Sequence, residues 1–154
     1  MFTAHGFPLV VFEMSSGRID HIGIATSNLD SNSHLWKILG FRHNKDEINE
    51  EQGVKIRFFE SVGDGSKLPK IELLEPINDD SPIHRFISKK GEGIQQLAIE
   101  VSDIESMISD LTGNGFTMIN ETPQKGASGT LIAFIHPKST GGILIELVEH
   151  SDRS

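Results

Sequence analysis

Residues 18–41 read RIDHIGIATSNLDSNSHLWKILGF, and residues 93–116 read GIQQLAIEVSDIESMISDLTGNGF. Laid over one another without a gap, they place Ile19 on Ile94, Ile24 on Ile99, Ser27 on Ser102 and Ser31 on Ser106. Both close on Gly-Phe, at Gly40-Phe41 and Gly115-Phe116. A second pair follows in the same order: Ile71-Glu72-Leu73-Leu74-Glu75 and Ile145-Glu146-Leu147-Val148-Glu149. Two matched pairs at nearly the same interval indicate an internal duplication. With 154 residues the chain is the size of one ordinary domain, so the copies are two modules of one fold.

Each copy reads as strand, helix, then strands. His21–Ala25 and Gln96–Val101 are short runs rich in Ile, Leu and Val, as strands require. Ser27 or Asn28 caps the first helix, and Asp103 the second. Ile104, Met107, Ile108 and Leu111 recur at helical spacing; Leu29, Leu35, Trp36 and Leu39 do so less regularly. Val54–Phe59 and Lys70–Leu74 form a predicted hairpin through Gly63-Asp64-Gly65, matched by Thr130–Ile135 and Ile143–Val148. Between the copies, Ser81-Pro82 opens a short helix that Gly91 ends. Residues 117–129 read as loop or short strand. The run Asp46 to Glu51 reads as a solvated loop.

Strand alternation assigns faces. Ile22 and Ile24 turn towards the helix, as do Leu97, Ile99 and Val101 in the copy. His21, Glu72, Gln96 and Glu146 therefore share the other face, with small Gly23 and Ala98 beside them. Burying two carboxylates together costs several kcal/mol unless a cation compensates. A divalent ion held by one imidazole and three oxygen donors is the simplest compensation; a wet sheet face is the plain alternative.

Composition narrows the classes. There are 22 Asp and Glu against 14 Lys and Arg, a formal charge of −8. That disfavours nucleic acid and anionic membranes as partners. The absence of cysteine removes disulfides, thiolate nucleophiles and Cys-based zinc sites. No apolar run reaches the ~20 residues that span a bilayer. The short apolar start lacks the basic flank of a signal peptide, so a cytoplasmic protein is expected.

The chain resembles the vicinal oxygen chelate superfamily (glyoxalase, bleomycin resistance, dioxygenase), and within it the methylmalonyl-CoA epimerases. The resemblance rests on IDHIGIA (19–25), EEQGVKIRFF (50–59), KIELLEP (70–76), DSPIHRFISKKGEGI (80–94), LAIEVSDIE (97–105) and IAFIHPKSTGGILIELVE (132–149). It implies an α+β fold, two tandem βαβββ modules forming a curved, partly closed mixed sheet around a metal. The modules would span 18–79 and 93–149 of a single domain 18–149, joined by a helical linker 80–92. Residues 1–17 and 150–154 would be an extension and a tail.

By the same resemblance His21, Glu72, Gln96 and Glu146 are the metal ligands. Glu51 and Glu146 are the catalytic carboxylates that move the C2 proton between (2R)- and (2S)-methylmalonyl-CoA through a stabilised enolate. The cofactor would be one divalent ion per chain: cobalt by resemblance, with Mn, Ni, Zn or Mg as alternatives. The substrate would be an acyl-CoA thioester and the assembly a homodimer. The epimerases usually read His-His where this chain has Gln95-Gln96, so an amide oxygen replaces an imidazole and preference shifts towards harder ions. The same donor set also suits a glyoxalase I-type isomerase, and a non-catalytic binding protein of the bleomycin-resistance type is the third reading. An iron dioxygenase needs a second histidine, which Gln96 removes. Lys55 and Arg57 are read as sharing a face with Glu51, either as contacts to the substrate carboxylate or as an exposed sheet edge, and Lys89, Lys90, Lys125 and Lys138 as wet surface first and CoA phosphate contacts second. His136, at the head of the HPKSTGG loop, is read as a candidate neighbour of the site or a loop residue, while His34, His43, His84 and His150 are read as surface residues.

Overall fold

The computed structural model describes residues 17–63 and 68–151. The extension therefore lies outside the described residues except for Gly17, as do the end of the tail and most of the Gly63-Asp64-Gly65 turn. The first copy contributes β1 (Ile19–Ala25), α1 (Leu29–Ile38), β2 (Arg42–Asn49), β3 (Val54–Glu60) and β4 (Lys70–Pro76). Helix α2 (Pro82–Lys90) links it to β5 (Gly93–Glu100), α3 (Ile104–Gly113), β6 (Gln124–Lys125), β7 (Leu131–Ile135) and β8 (Ile145–Glu149). Short 3-10 turns at Ala127–Gly129 and Pro137–Ser139 flank β7.

One mixed sheet holds all eight strands, in the order β2-β3-β4-β1-β5-β8-β7-β6. The duplication is visible in its pairing. β1 runs parallel to β4 and β5 runs parallel to β8, while β1 and β5 meet antiparallel at the centre. Gly23 stands opposite Gln96 across that seam.

Local chemistry explains the elements. Asn28 and Asp103 accept from the backbone N–H of Ser31 and Ser106, three residues on, as N-caps do. Ser81 caps α2, whose first-turn Pro82 needs no N–H partner, and Gly91 ends the helix at φ 81°. The reading of Asp46 to Glu51 as a loop needs correction: residues 46–49 belong to β2, and only the turn at 50–53 is irregular. β2 is an edge strand whose charged side chains face water, so it shows no apolar alternation.

Helices α1 and α3 cover the convex face, and α2 packs on the cavity side. Around α1, buried Leu29, Phe59, Ile71 and Leu73 pack with Ile22, Ile24 and Trp36. Around α3, Val101, Ile104, Ile108, Ala133, Ile135 and Leu147 do the same. On the concave face Val54, Ile56, Phe58, Leu74 and Ile83 form a separate apolar cluster. The sheet curls until β2 reaches the turn beside β6. Ser128 N donates to Glu47 Oε2 at 2.7 Å and Lys45 Nζ donates to Ser128 Oγ at 2.6 Å. Among the described residues, no helix is long and apolar enough to cross a membrane.

Candidate metal centre

The concave side of the sheet encloses a cavity of ≈ 580 Å³. All four residues picked by face alternation line it and are buried: His21 4%, Glu72 7%, Gln96 8% and Glu146 5% exposed. Each comes from a different strand among β1, β4, β5 and β8, so the seam between the modules gathers them. His21 is the hub. Its Nδ1 lies 3.1 Å from Glu72 Oε2 and its Nε2 lies 3.1 Å from Glu146 Oε1. Gln96 Nε2 donates to Glu146 Oε1 at 2.9 Å and stands 3.3 Å from His21 Nε2.

Two further residues join this group. Asp20 is buried, and its Oδ2 accepts from His21 Nδ1–H at 2.7 Å. Its Oδ1 accepts from His150 Nε2–H at 2.5 Å. Strict alternation along β1 would turn Asp20 to the helix face with Ile22. The β1–β5 register shifts between Ile19 and His21, and this irregularity allows Asp20 and His21, though consecutive, both to line the cavity. His150, read above as a surface residue, continues the cavity face of β8 after Glu146 and Val148. The spacing 146, 148, 150 could have revealed it.

The electrostatics follow from burial. Burial opposes charge on His21, yet Glu72, Asp20 and Glu146 around it hold its pKa well above the usual histidine range. Burial would raise Asp20, but the hydrogen bonds from His150 and His21 outweigh it and keep that carboxyl well below its usual range. Glu72 is pushed up to about 7: burial dominates, and His21 only partly offsets it with Glu146 and Asp20 nearby.

A divalent ion suits this donor set. Asp20, His21 and Glu72 offer ligand atoms within 4.8 Å of one another. His21, Glu72, Gln96 and Glu146 together supply one nitrogen and three oxygens, the mixed set that Mg, Mn, Co, Ni and Zn accept. The carboxylates lie where a cation relieves their mutual repulsion, and Gln96 would ligate through its amide oxygen.

The other candidates separate. Glu51 stands on the exposed turn between β2 and β3, outside the cavity lining, although its neighbour Gln52 reaches the rim. The β3 residues that line the cavity are Val54, Ile56, Phe58 and Glu60. Arg57, by alternation, turns to the other side and binds Asp46 and Asp30 there, at 2.8 Å each. Lys55 is likewise absent from the lining, as are Lys89, Lys125 and Lys138, while Lys90 borders a smaller neighbouring cavity. His136 caps the Pro137–Ser139 turn through Nδ1, which accepts from Lys138 N–H, and does not line the cavity. His43 pairs with Asp46 and His84 approaches Asp79.

Comparison with known proteins agrees with the fold. The sequence profile of the Glyoxalase/Bleomycin resistance protein/Dioxygenase superfamily matches residues 20–134. The uncharacterized protein YqjC of Bacillus subtilis is 39% identical over 86% of this chain and 91% of its own length. The mitochondrial methylmalonyl-CoA epimerase of Dictyostelium discoideum is 35% identical over 91% of this chain and 82% of its own. The crystal structure of methylmalonyl-CoA epimerase from Mycobacterium tuberculosis superposes with a TM-score of 0.84 at 36% identity, covering 94% of this chain and 95% of that one. The chain belongs to the glyoxalase/bleomycin resistance protein/dioxygenase superfamily.

Proposed function

We propose that the protein is a metal-dependent isomerase that moves the C2 proton of a 2-substituted malonyl-CoA thioester, methylmalonyl-CoA first among them. The observation that carries this reading is the buried quartet His21, Glu72, Gln96 and Glu146, one residue from each of four strands, facing a cavity of ≈ 580 Å³. Relatives named as methylmalonyl-CoA epimerases support the choice of substrate.

The hydrogen at C2 becomes acidic only as charge spreads into the thioester carbonyl. A divalent ion held by the quartet would supply Lewis-acid stabilisation of that charge. The chain's own residues do the remaining work. Val54, Ile56, Phe58 and Leu74 present an apolar wall that limits water around the reacting carbon. Glu146, buried and held by Gln96 and His21, takes the proton at C2 in this reading. Glu51 can reach the opposite face only if its turn folds over the rim beside Gln52. With that turn folded over, Glu51 returns a proton to the opposite face of the carbon.

The test is incubation of (2S)-methylmalonyl-CoA in D₂O with the protein and Co²⁺, Mn²⁺ or Mg²⁺. Deuterium at C2 together with the appearance of the (2R) epimer is expected. No exchange with any of these ions, in protein shown to hold the metal, overturns the assignment.

A further inference from the structure

Asp20 and His150 form a pair that the proposed chemistry does not use directly. Asp20 is 7% exposed and divides its two oxygens between two imidazoles. Oδ2 accepts from His21 Nδ1–H at 2.7 Å, and Oδ1 accepts from His150 Nε2–H at 2.5 Å. The three residues come from one strand and the tail: β1 supplies Asp20 and His21, and His150 follows the last residue of β8. The contact joins the first module to the end of the second across 130 positions of sequence.

This arrangement has a cost. An aspartate at the start of a buried strand must leave water, and the strand pairing slips to bring it beside His21. The backbone already forms the sheet without it, so the return is in what Asp20 touches. On one side it touches a ring whose other nitrogen faces Glu146 and Gln96. A carboxylate on the far nitrogen of a ligating imidazole fixes the tautomer, orients the ring and strengthens its basicity. His150, half-buried, holds the carboxylate in that orientation by occupying its second oxygen.

We infer that Asp20 is a positioning residue for His21, and that His150 acts through Asp20, so the metal centre extends from β1 into the chain's C-terminal tail. Asp20 also lies close enough to Glu72 and His21 to be a ligand itself. Both of its oxygens are already engaged, Oδ2 by His21 Nδ1–H and Oδ1 by His150 Nε2–H, which assigns it to positioning. The inference rests on the metal reading of the quartet.

The test measures Co²⁺ affinity by calorimetry, with the visible absorption of the cobalt-loaded protein as a second readout. The parent is compared with Asp20→Asn, His150→Ala and His150→Gln, and apo-state melting is recorded for each. Asp20→Asn is expected to weaken binding about 10–100-fold. His150→Ala is expected to weaken it about tenfold and shift the cobalt spectrum, while His150→Gln, which can still donate to Asp20 Oδ1, restores most of the affinity. The double variant Asp20→Asn/His150→Ala should bind no more weakly than Asp20→Asn alone, because both act along one path. Parent affinity in both His150→Ala and Asp20→Asn overturns the inference. So does a loss in His150→Ala that merely adds to that of Asp20→Asn. A parent chain that takes up no Co²⁺ overturns the metal reading and this inference with it, whereas loaded protein without C2 exchange overturns only the substrate assignment.

Discussion

Gly23 stands at the point where the two modules bring their candidate ligands together. A Cβ there would come within 2.6 Å of Gln96 Cγ and 3.1 Å of Leu74 Cδ1. Gly23→Ala must therefore push Gln96 aside, and metal affinity is expected to fall about tenfold or more while the fold survives. Circular dichroism and a Mn²⁺ titration check both halves of that statement. Gln96→His tests the donor set from the other direction. An imidazole in place of an amide should raise affinity for Co²⁺ or Zn²⁺ relative to Mg²⁺, measured by competition between the ions. That His21, Glu72, Gln96 and Glu146 line one cavity was legible in the sequence, because each is flanked by residues that alternation turns to the helices; the strict period breaks beside two of them, where Asp20 and Gln95 line the cavity as well. Asp20 was not legible, because an irregularity in strand pairing leaves no mark in a single sequence. Glu51 was read from the motif around it, and local sequence does not say which way a turn points.

At the scale of elements, the edge strand β2 carries the clearest pH dependence. The Arg57 guanidinium, with His43 adding to it, holds the Asp46 carboxyl at about 2 against partial burial. The unfolded chain titrates this group near the ordinary carboxylate value of about 4. The stabilisation is therefore complete above about pH 4 and disappears as pH falls towards 2. Asp46→Asn should lower the melting temperature at pH 6, and the gap from the parent should close between about pH 4 and pH 2, recorded by thermal melts across that range. The capped helices behave more simply. Asn28→Ala or Asp103→Ala removes a side-chain acceptor from an exposed N–H, at about 1 kcal/mol each by chemical denaturation. These caps and the Ser81-Pro82 start were readable from local chemistry. β2 was not, because a strand wet on both faces looks like a charged loop until its partner β3 is known.

For the whole molecule, the duplication decides the architecture. Antiparallel pairing of β1 with β5 places equivalent strands on either side of one seam, and the curl of the sheet then encloses the cavity. That curl is fastened at the far edges by Glu47, which accepts from both Ser128 N–H and Ser128 Oγ–H. Ser128 is, among the described residues, the non-glycine position with positive φ, at 57°. Strain held at such a turn needs compensating contacts. Glu47→Ala should speed amide exchange in β2 and in residues 124–129 and leave β1 and β5 protected, as followed by hydrogen-exchange mass spectrometry. The sequence carried the repeat and hence the seam. It did not carry the fastening, because that contact joins residues 81 positions apart that have no counterpart in the other module.

The central claim is that this seam builds one site for a divalent ion. Equilibrium dialysis against Co²⁺ or Mn²⁺, followed by elemental analysis, tests it on the parent, His21→Ala and Glu72→Gln. One ion per chain in the parent, falling to a small fraction in both variants, is the predicted result. A parent that retains no ion, or variants that retain as much as the parent, would contradict the account.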